Sequence, residues 1–118
     1  MMDQAWAQRF AEAWIAAWNA HDLPRILSHY ADDFEMSSPF IVARMGVTEG
    51  RLRGKEAIIP YWEKGLAATP PLHFDLIQVF VGVNSLVLHY RRATGTLAAE
   101  TLIFNDQGLI VQGIAHYI

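Results

Sequence analysis

Hydrophobic residues recur at helical spacing in the first part of the chain. Between residues 3 and 20 the large residues fall at every fourth position, at Trp6, Phe10, Trp14 and Trp18. This spacing places the aromatic rings on one face of a helix, with polar residues on the other. The pattern also predicts a short second helix at about 23–30 and a third at about 54–66.

The chain from residue 72 onward has the composition of β-strands. Four segments rich in Val, Leu, Ile, Phe and Tyr cover 72–81, 86–92, 97–104 and 109–117. Short segments containing Gly, Asn, Asp, Ser or Thr separate them, which indicates consecutive antiparallel hairpins. Helices followed by a strand meander predict an α+β fold, with the helices on one face of the sheet.

Residues 35–53 are predicted to form a long connection between the second and third helices. This segment is basic, since it carries Arg44, Arg51 and Arg53 and is followed by Lys55. One interpretation is a lid whose cationic lining receives an anionic ligand. The alternative is a solvated loop, because Arg and Lys are mostly exposed in proteins.

One acidic residue interrupts the third predicted strand. Glu100 lies in the segment 97–104, whose other residues are apolar or small. Moving an ionised carboxylate out of water is costly unless the group is paired, hydrogen-bonded or neutralised by a raised pKa. The role of Glu100 therefore depends on which residues it faces in the sheet.

The predicted strand register places His89 beside Glu100. A two-residue turn at 94–95 pairs these two residues, and four-residue turns on either side complete a row across the sheet. The row reads Gln78, His89, Glu100 and Gly113. The same face carries Arg91 and Tyr117. A carboxylate and an imidazole beside the gap left by a glycine suit a small-molecule site, and equally a satisfied ion pair inside a core.

The opposite face of the predicted sheet is also apolar. Its residues are predicted to be Ile77, Val79, Val81, Leu86, Leu88, Tyr90, Ala99, Thr101, Ile103, Ile110 and Ile114. Three helices cannot cover both faces of the sheet. We therefore predict a homodimer that packs sheet to sheet through this second face.

Composition narrows the classes of function. A chain of 118 residues with 53% hydrophobic residues fits one domain, and a net charge of −3 gives no basic surface for nucleic acid. The absence of cysteine excludes disulfides and thiolate metal sites. No leader pattern and no apolar run of about 18 residues is present, which predicts a cytoplasmic protein without a membrane partner. Neither a histidine metal motif nor a Gly-rich phosphate loop occurs, so no metal and no cofactor is predicted.

Four short motifs occur in order along the chain. They are Asn-Ala-His-Asp-Leu at 19–23, Tyr-Ala-Asp-Asp-Phe at 30–34, Arg-Gly-Lys-Glu-Ala-Ile at 53–58 and Phe-Asn-Asp-Gln-Gly-Leu-Ile at 104–110. In this order and spacing the chain resembles the nuclear-transport-factor-2-like superfamily, and within it the SnoaL-like and ketosteroid-isomerase-like branch. The resemblance covers 1–118 as a single SnoaL-like domain. It implies a cone-shaped, curved antiparallel β-sheet wrapped around three N-terminal helices, the cystatin-like roll, with an apolar pocket and frequent dimerisation.

The same resemblance implies that Glu100 points into the cone. It falls where steroid isomerases of this family carry the acid that hydrogen-bonds the substrate oxygen. The position of their general-base aspartate falls on Ser38, and those of two tyrosines fall on Trp14 and Trp62. Serine is not a base at neutral pH and tryptophan has no phenolic proton, which argues against a true ketosteroid isomerase.

Three functions remain open from the sequence. The first is a cofactor-independent isomerase, cyclase or lyase such as a dehydratase, in which Glu100 and His89 act as an acid/base pair on a small apolar or aromatic molecule. The second is a pocket that binds such a molecule without reaction, and the third is a dimeric scaffold with a satisfied His89–Glu100 pair. The predicted pocket residues are Trp14, Trp18, Tyr30, Phe34, Ser38, Trp62, Gln78, Arg91, Gly113 and Tyr117.

Overall fold

A computed structural model describes residues 2–118 of the chain. The helices are α1 (Gln4–Asn19), α2 (Leu23–Leu27), α3 (Pro39–Met45) and α4 (Lys55–Leu66). The strands are β1 (Tyr30–Ser37), β2 (Arg51–Arg53), β3 (Phe74–Gly82), β4 (Ser85–Arg92), β5 (Leu97–Phe104) and β6 (Ile110–Tyr117). The sheet is curved and unclosed, and its strand order is β2-β1-β6-β5-β4-β3. The predicted α+β fold class is confirmed.

Local capping signals explain the first two helices. The Asp3 carboxylate accepts a hydrogen bond from the Trp6 backbone N–H at 2.8 Å and begins α1. Asp22 caps α2 in the same way through Arg25 at 3.2 Å. The second helix is shorter than predicted, because the chain leaves it at Ser28 and enters β1.

The predicted connection at 35–53 contains regular structure instead. It includes the end of β1, helix α3 and the short strand β2. Ser38 caps α3, since its Oγ accepts a hydrogen bond from the Phe40 N–H at 3.1 Å, and Pro39 occupies the first turn. Gly46 ends the helix in a left-handed conformation. These elements are too short to produce a clear hydrophobic period, although their capping residues are visible in the sequence.

One strand pair differs from an antiparallel meander. β1 runs parallel to β6, and the other neighbouring strands are antiparallel. β1 lies in the first third of the chain, before α4, and its pairing with β6 is not part of a hairpin. The sheet is therefore extended beyond the four predicted strands by β1 and β2.

The β4–β5 register differs from the predicted register by one residue. The loop has three residues, 93–95, closed by a hydrogen bond from the Arg92 N–H to the Thr96 carbonyl oxygen at 2.8 Å. Gly95 takes a positive φ of 88°, as in hairpins of this loop length. Glu100 consequently pairs with Leu88, and His89 pairs with Ala99. The predicted position of His89 beside Glu100 is wrong, because a shift of one residue moves a side chain to the other face.

Several other predicted positions change with this register. Leu86, Leu88 and Tyr90 are buried on the inner face, which packs against the helices, rather than on the outer face. A register shift between Leu76 and Gln78 also buries Val79 and exposes Phe80. Gln78, His89 and Arg91 therefore lie on the outer face, where Gln78 Nε2 donates a hydrogen bond to His89 Nδ1 at 3.2 Å.

The gap predicted beside Glu100 at Gly113 is absent. Glu100 pairs with Ala115, whereas Gly113 pairs with Leu102 on one side and with Met36 on the other. A Cβ atom at Gly113 would lie 3.0 Å from the Met36 Sδ atom. The space is therefore filled by the Met36 side chain, and the glycine allows that close packing.

The outer face retains exposed hydrophobic side chains. Ile77 is 46% exposed and Phe80 is 52% exposed. The predicted homodimer through this face stays a prediction. Within residues 2–118, none of the helices has the length and apolar character that crossing a bilayer requires.

Candidate functional site

A cavity of about 150 Å³ opens between the inner face of the sheet, α4 and the segment that precedes β3. Aromatic rings form much of its wall. Its lining includes Trp18, Trp62, Phe74, Tyr90, Glu100 and Tyr117. Apolar walls with a few polar groups are typical of small-molecule sites.

Glu100 and Tyr90 form the buried polar pair of this cavity. Glu100 extends from β5 and is only 5% exposed, and Tyr90 extends from the neighbouring strand β4. The Tyr90 hydroxyl donates a hydrogen bond of 2.6 Å to Glu100 Oε1. Tyr90 thus takes the place that the sequence had predicted for His89.

The position of Glu100 changes its acidity. Burial raises the pKa of its carboxyl to about 7, and the hydrogen bond from Tyr90 opposes part of this rise by stabilising the ionised form. Near neutral pH the protonated and ionised forms are therefore both populated. A carboxyl of this pKa is suited to general acid/base catalysis.

Phenols around Glu100 remain protonated at neutral pH. Burial raises the pKa of Tyr90, and the negative charge of Glu100 raises it further. The same two causes, in the same order, raise the pKa of Tyr30 and of Tyr117. The Tyr61 hydroxyl donates to Ser38 Oγ at 3.2 Å, and burial raises the pKa of Tyr61 as well. These phenols are neutral hydrogen-bonding groups and not bases.

An aromatic cluster supports the cavity from behind. Trp14 is fully buried, and its indole N–H donates to the Tyr30 hydroxyl at 2.9 Å. The Trp62 ring meets the rings of Tyr30 and Trp18 edge-on at 4.9 and 5.0 Å between centroids. The indole N–H of Trp18 is buried and finds no hydrogen-bond partner among residues 2–118. Packing of this kind holds the wall residues in place.

The predicted pocket residues fall into three groups. Those that line the cavity are Trp18, Trp62, Glu100 and Tyr117. Those that are buried on the inner side but do not line it are Trp14, Tyr30, Phe34, Ser38 and Gly113. Those that lie on the outer face of the sheet are Gln78, His89 and Arg91.

Sequence reasoning missed part of the cavity lining. The missed residues include Phe40, Tyr61, Phe74, Tyr90 and Arg92, whereas Arg44 belongs to the basic segment for which a cationic lining was one interpretation. For β4 a signal was available, since the large apolar residues alternate with Val87, His89 and Arg91. This alternation favours Tyr90 inside and His89 outside. The assumed two-residue turn led to the opposite assignment.

Metal-binding groups do not cluster in the part of the chain that the structure describes. Across residues 2–118, no group of three His, Asp or Glu side chains could hold a metal ion. His73 and Asp75 contact each other at 3.1 Å, and both are exposed.

Comparison with known proteins identifies the family. The SnoaL-like domain model matches residues 11–117. A SnoaL-like protein of unknown function from Burkholderia thailandensis E264 is 52% identical, with a TM-score of 0.94 and coverage of 98% of this chain and 97% of that chain. Among curated proteins, no sequence matches the chain.

Two more distant structures share the fold. A proposed ketosteroid isomerase from Kribbella flavida DSM 17836 has a TM-score of 0.77 at 13% identity, covering 100% of this chain and 82% of that chain. AclR, a proposed hydroxylase from Streptomyces galilaeus, has a TM-score of 0.74 at 20% identity, covering 98% of this chain and 80% of that chain. The resemblance inferred from the four motifs is confirmed, and the chain belongs to the SnoaL-like family of the nuclear-transport-factor-2-like superfamily.

Proposed function

We propose that this protein binds a small, largely apolar or aromatic molecule in the cavity and moves a proton on it with Glu100. The observation that carries the proposal is the buried Glu100 carboxyl on the cavity wall, hydrogen-bonded by Tyr90 at 2.6 Å. Its pKa of about 7 lets it both accept and return a proton near neutral pH. The reaction classes that fit are isomerisation, cyclisation and elimination.

An isomerisation needs no second reactant. The Glu100 carboxylate takes a proton from a carbon next to a carbonyl group, and the electron pair of the C–H bond moves to the carbonyl oxygen. The protonated Glu100 then returns the proton to another carbon of the same conjugated system. Tyr117 lines the cavity as a neutral phenol and can donate a hydrogen bond to the oxygen on which negative charge develops.

The proposal does not make this chain a ketosteroid isomerase. The position of the general base in those enzymes is Ser38 here, and the Ser38 hydroxyl accepts hydrogen bonds from Tyr61 and from the Phe40 backbone. It therefore serves as a helix cap. The proposed ketosteroid isomerase from Kribbella flavida supports the fold, but a shared fold does not define the reaction.

Replacement of Glu100 tests the proposal. A one-ring β,γ-unsaturated ketone serves as probe, and its conversion to the conjugated isomer is followed by ultraviolet absorbance. We expect the wild-type chain to accelerate the conversion and Glu100→Gln to remove the acceleration, because an amide cannot accept the proton. Glu63→Gln, at an exposed position on α4, is the matched control and should keep it.

The pH profile provides a second measurement. The rate should rise with pH and level off above about 7, because the carboxylate is the active form. A wild-type rate equal to that of Glu100→Gln at all pH values would reject proton transfer by Glu100.

The outer position of His89 favours a second candidate function, which is binding without reaction. His89 was the predicted second proton carrier, and it does not reach the cavity. In this case Glu100 and Tyr90 orient a ligand by hydrogen bonds. A compound that raises the melting temperature and is recovered unchanged would support this function.

A further inference from the structure

Two arginines line the cavity together with Glu100. Arg44 extends from α3, and Arg92 ends β4 on its inner face. Their guanidinium carbons lie 4.9 and 4.7 Å from the centre of the same Phe40 ring, and the Arg92 guanidinium is also 5.1 Å from the Tyr117 ring centre. Stacking on aromatic rings holds both cations against the cavity wall.

Neither guanidinium has a carboxylate partner. In the part of the chain that the structure describes, the only arginine in an ion pair is Arg53, which contacts Glu35. Arg92 Nη1 makes a hydrogen bond of 3.3 Å to the neutral Thr96 hydroxyl. Glu100 lies in the same cavity but forms no ion pair with either arginine. The cavity therefore contains two positive charges that a ligand can neutralise.

The fold leaves room for Arg44 at the cavity. A Cβ atom at Gly65 of α4 would lie 3.1 Å from Arg44 Nη1, so the glycine lets the guanidinium lie against the helix. Lys64 Nζ donates a hydrogen bond to the Arg44 backbone oxygen at 3.2 Å and joins α4 to α3. Of the basic residues noted between 44 and 55, only Arg44 lines the cavity.

Size and polarity limit the ligand. A cavity of about 150 Å³ accommodates one aromatic ring. The arginines are half-buried, whereas Glu100 is almost fully buried, so the positive charges lie nearer to solvent than the carboxyl does. An anionic group is attracted to the arginines and repelled by ionised Glu100, which defines the orientation of a charged ligand.

We propose that the ligand is a one-ring carboxylic acid, whose carboxylate binds Arg44 and Arg92 and whose hydroxyl or carbonyl oxygen, across the ring, faces Glu100 and Tyr90. This inference rests on the proposed function, because it assigns the chemistry of a ligand in the same cavity. Guanidinium groups form strong, charge-assisted hydrogen bonds with carboxylates. The ring lies between the charged and the neutral contacts, among Trp18, Trp62 and Phe74.

A pair of probes tests the charge preference. Para-hydroxybenzoate and para-hydroxybenzamide share a ring and a hydroxyl and differ in charge, and calorimetric titration gives their dissociation constants. We expect the carboxylate to bind at least about tenfold more tightly than the amide, and higher salt to weaken its binding. Equal affinity for the two probes, or no binding of the carboxylate, would overturn the inference.

Variants assign the preference to the two arginines. Arg44→Gln and Arg92→Gln should each weaken carboxylate binding about tenfold and change amide binding little. Arg51→Gln, at an exposed position away from the cavity, is the matched control and should bind like the wild type. Circular dichroism verifies that each variant is folded. Unchanged carboxylate affinity in both folded variants would also reject the inference.

The binding result can be distinguished from the result of the catalytic test. The unsaturated ketone carries no charge, so its conversion by the wild-type chain tests Glu100 without the arginines. Arginine-dependent binding of para-hydroxybenzoate without ketone conversion would support the inference and reject proton transfer. Ketone conversion with equal binding of para-hydroxybenzoate and para-hydroxybenzamide would support proton transfer and reject the inference.

Discussion

The inner and outer faces of β4 each carry a residue in a polar pair, and the two pairs differ in their access to water. On the inner face Tyr90 donates to Glu100 at 2.6 Å, and both residues are buried. On the outer face Gln78 donates to His89 at 3.2 Å near solvent. Only the inner pair lines the cavity, and burial raises the pKa of its carboxyl to about 7. Because Tyr90 and His89 are adjacent in the chain, a loop longer by one residue decides which of them meets Glu100.

Substitutions on β4 should show the largest difference in unfolding free energy between the inner and the outer face. Leu88 is fully buried, whereas its neighbour Val87 is half-buried on the outer face. We expect Leu88→Ala to lower the free energy of unfolding by about 2–5 kcal/mol, and Val87→Ala to lower it by about 1 kcal/mol or less. Urea denaturation followed by circular dichroism measures both. A larger loss for Val87→Ala would mean that the faces are reversed.

The pH dependence of stability should distinguish Glu100 from His89. Because its pKa rises from 4.5 in the unfolded chain to about 7 in the folded chain, the folded state binds more protons than the unfolded state between these values. The contribution of Glu100 to stability is therefore fully present below about pH 4.5 and is lost as the pH rises through 7. This loss amounts to about 3 kcal/mol.

Variants test this pH dependence. Gln at position 100 does not titrate, so the stability of the wild type relative to Glu100→Gln should fall by about 3 kcal/mol between low pH and pH 8. His89→Gln should keep the Glu100 contribution. Denaturation at a series of pH values measures all three proteins. A constant difference between wild type and Glu100→Gln would indicate that Glu100 is not buried as described.

Removal of the Tyr90 hydroxyl should produce a smaller change within the inner pair. The hydrogen bond from Tyr90 lowers the pKa of Glu100, so Tyr90→Phe should raise that pKa above its wild-type value. Carbon-13 NMR titration of the Glu100 carboxyl measures it. At pH 8 we expect the variant to lose about 1.5 kcal/mol of stability, because ionised Glu100 loses a donor. An unchanged titration midpoint would contradict the 2.6 Å contact.

Substitutions on the outer face should affect the stability of the monomer least. Ile77 and Phe80 are exposed, so the double variant Ile77→Glu, Phe80→Glu should change the unfolding free energy of the monomer by about 0.5 kcal/mol or less. If this face joins two copies, the same variant should reduce the sedimenting mass from dimer to monomer. Wild-type protein that sediments as a monomer would reject the predicted homodimer.

Part of the candidate site was accessible from the sequence. The position of Glu100 in an apolar strand identified the acid. Helical spacing identified the inward-facing rings of Trp14 and Trp18 in the first helix and of Trp62 in the later helix. Tyr90 was assigned to the wrong face because turns of two and three residues are both compatible with the segment 93–96. Arg44 lay in a region whose short helix and strand gave no clear period.

The sequence by itself determined the order of most helices and strands, the α+β class, the family and the unusual position of Glu100. These properties follow from local patterns that extend over whole segments. Only the tertiary structure decided that Tyr90, Arg44 and Arg92, rather than His89, share the cavity with Glu100. Side chains alternate between the two faces of a sheet at every residue, so one additional loop residue or one bulge moves the side chains of a strand to the opposite faces. Contacts between elements that are distant in sequence depend on how those elements pack.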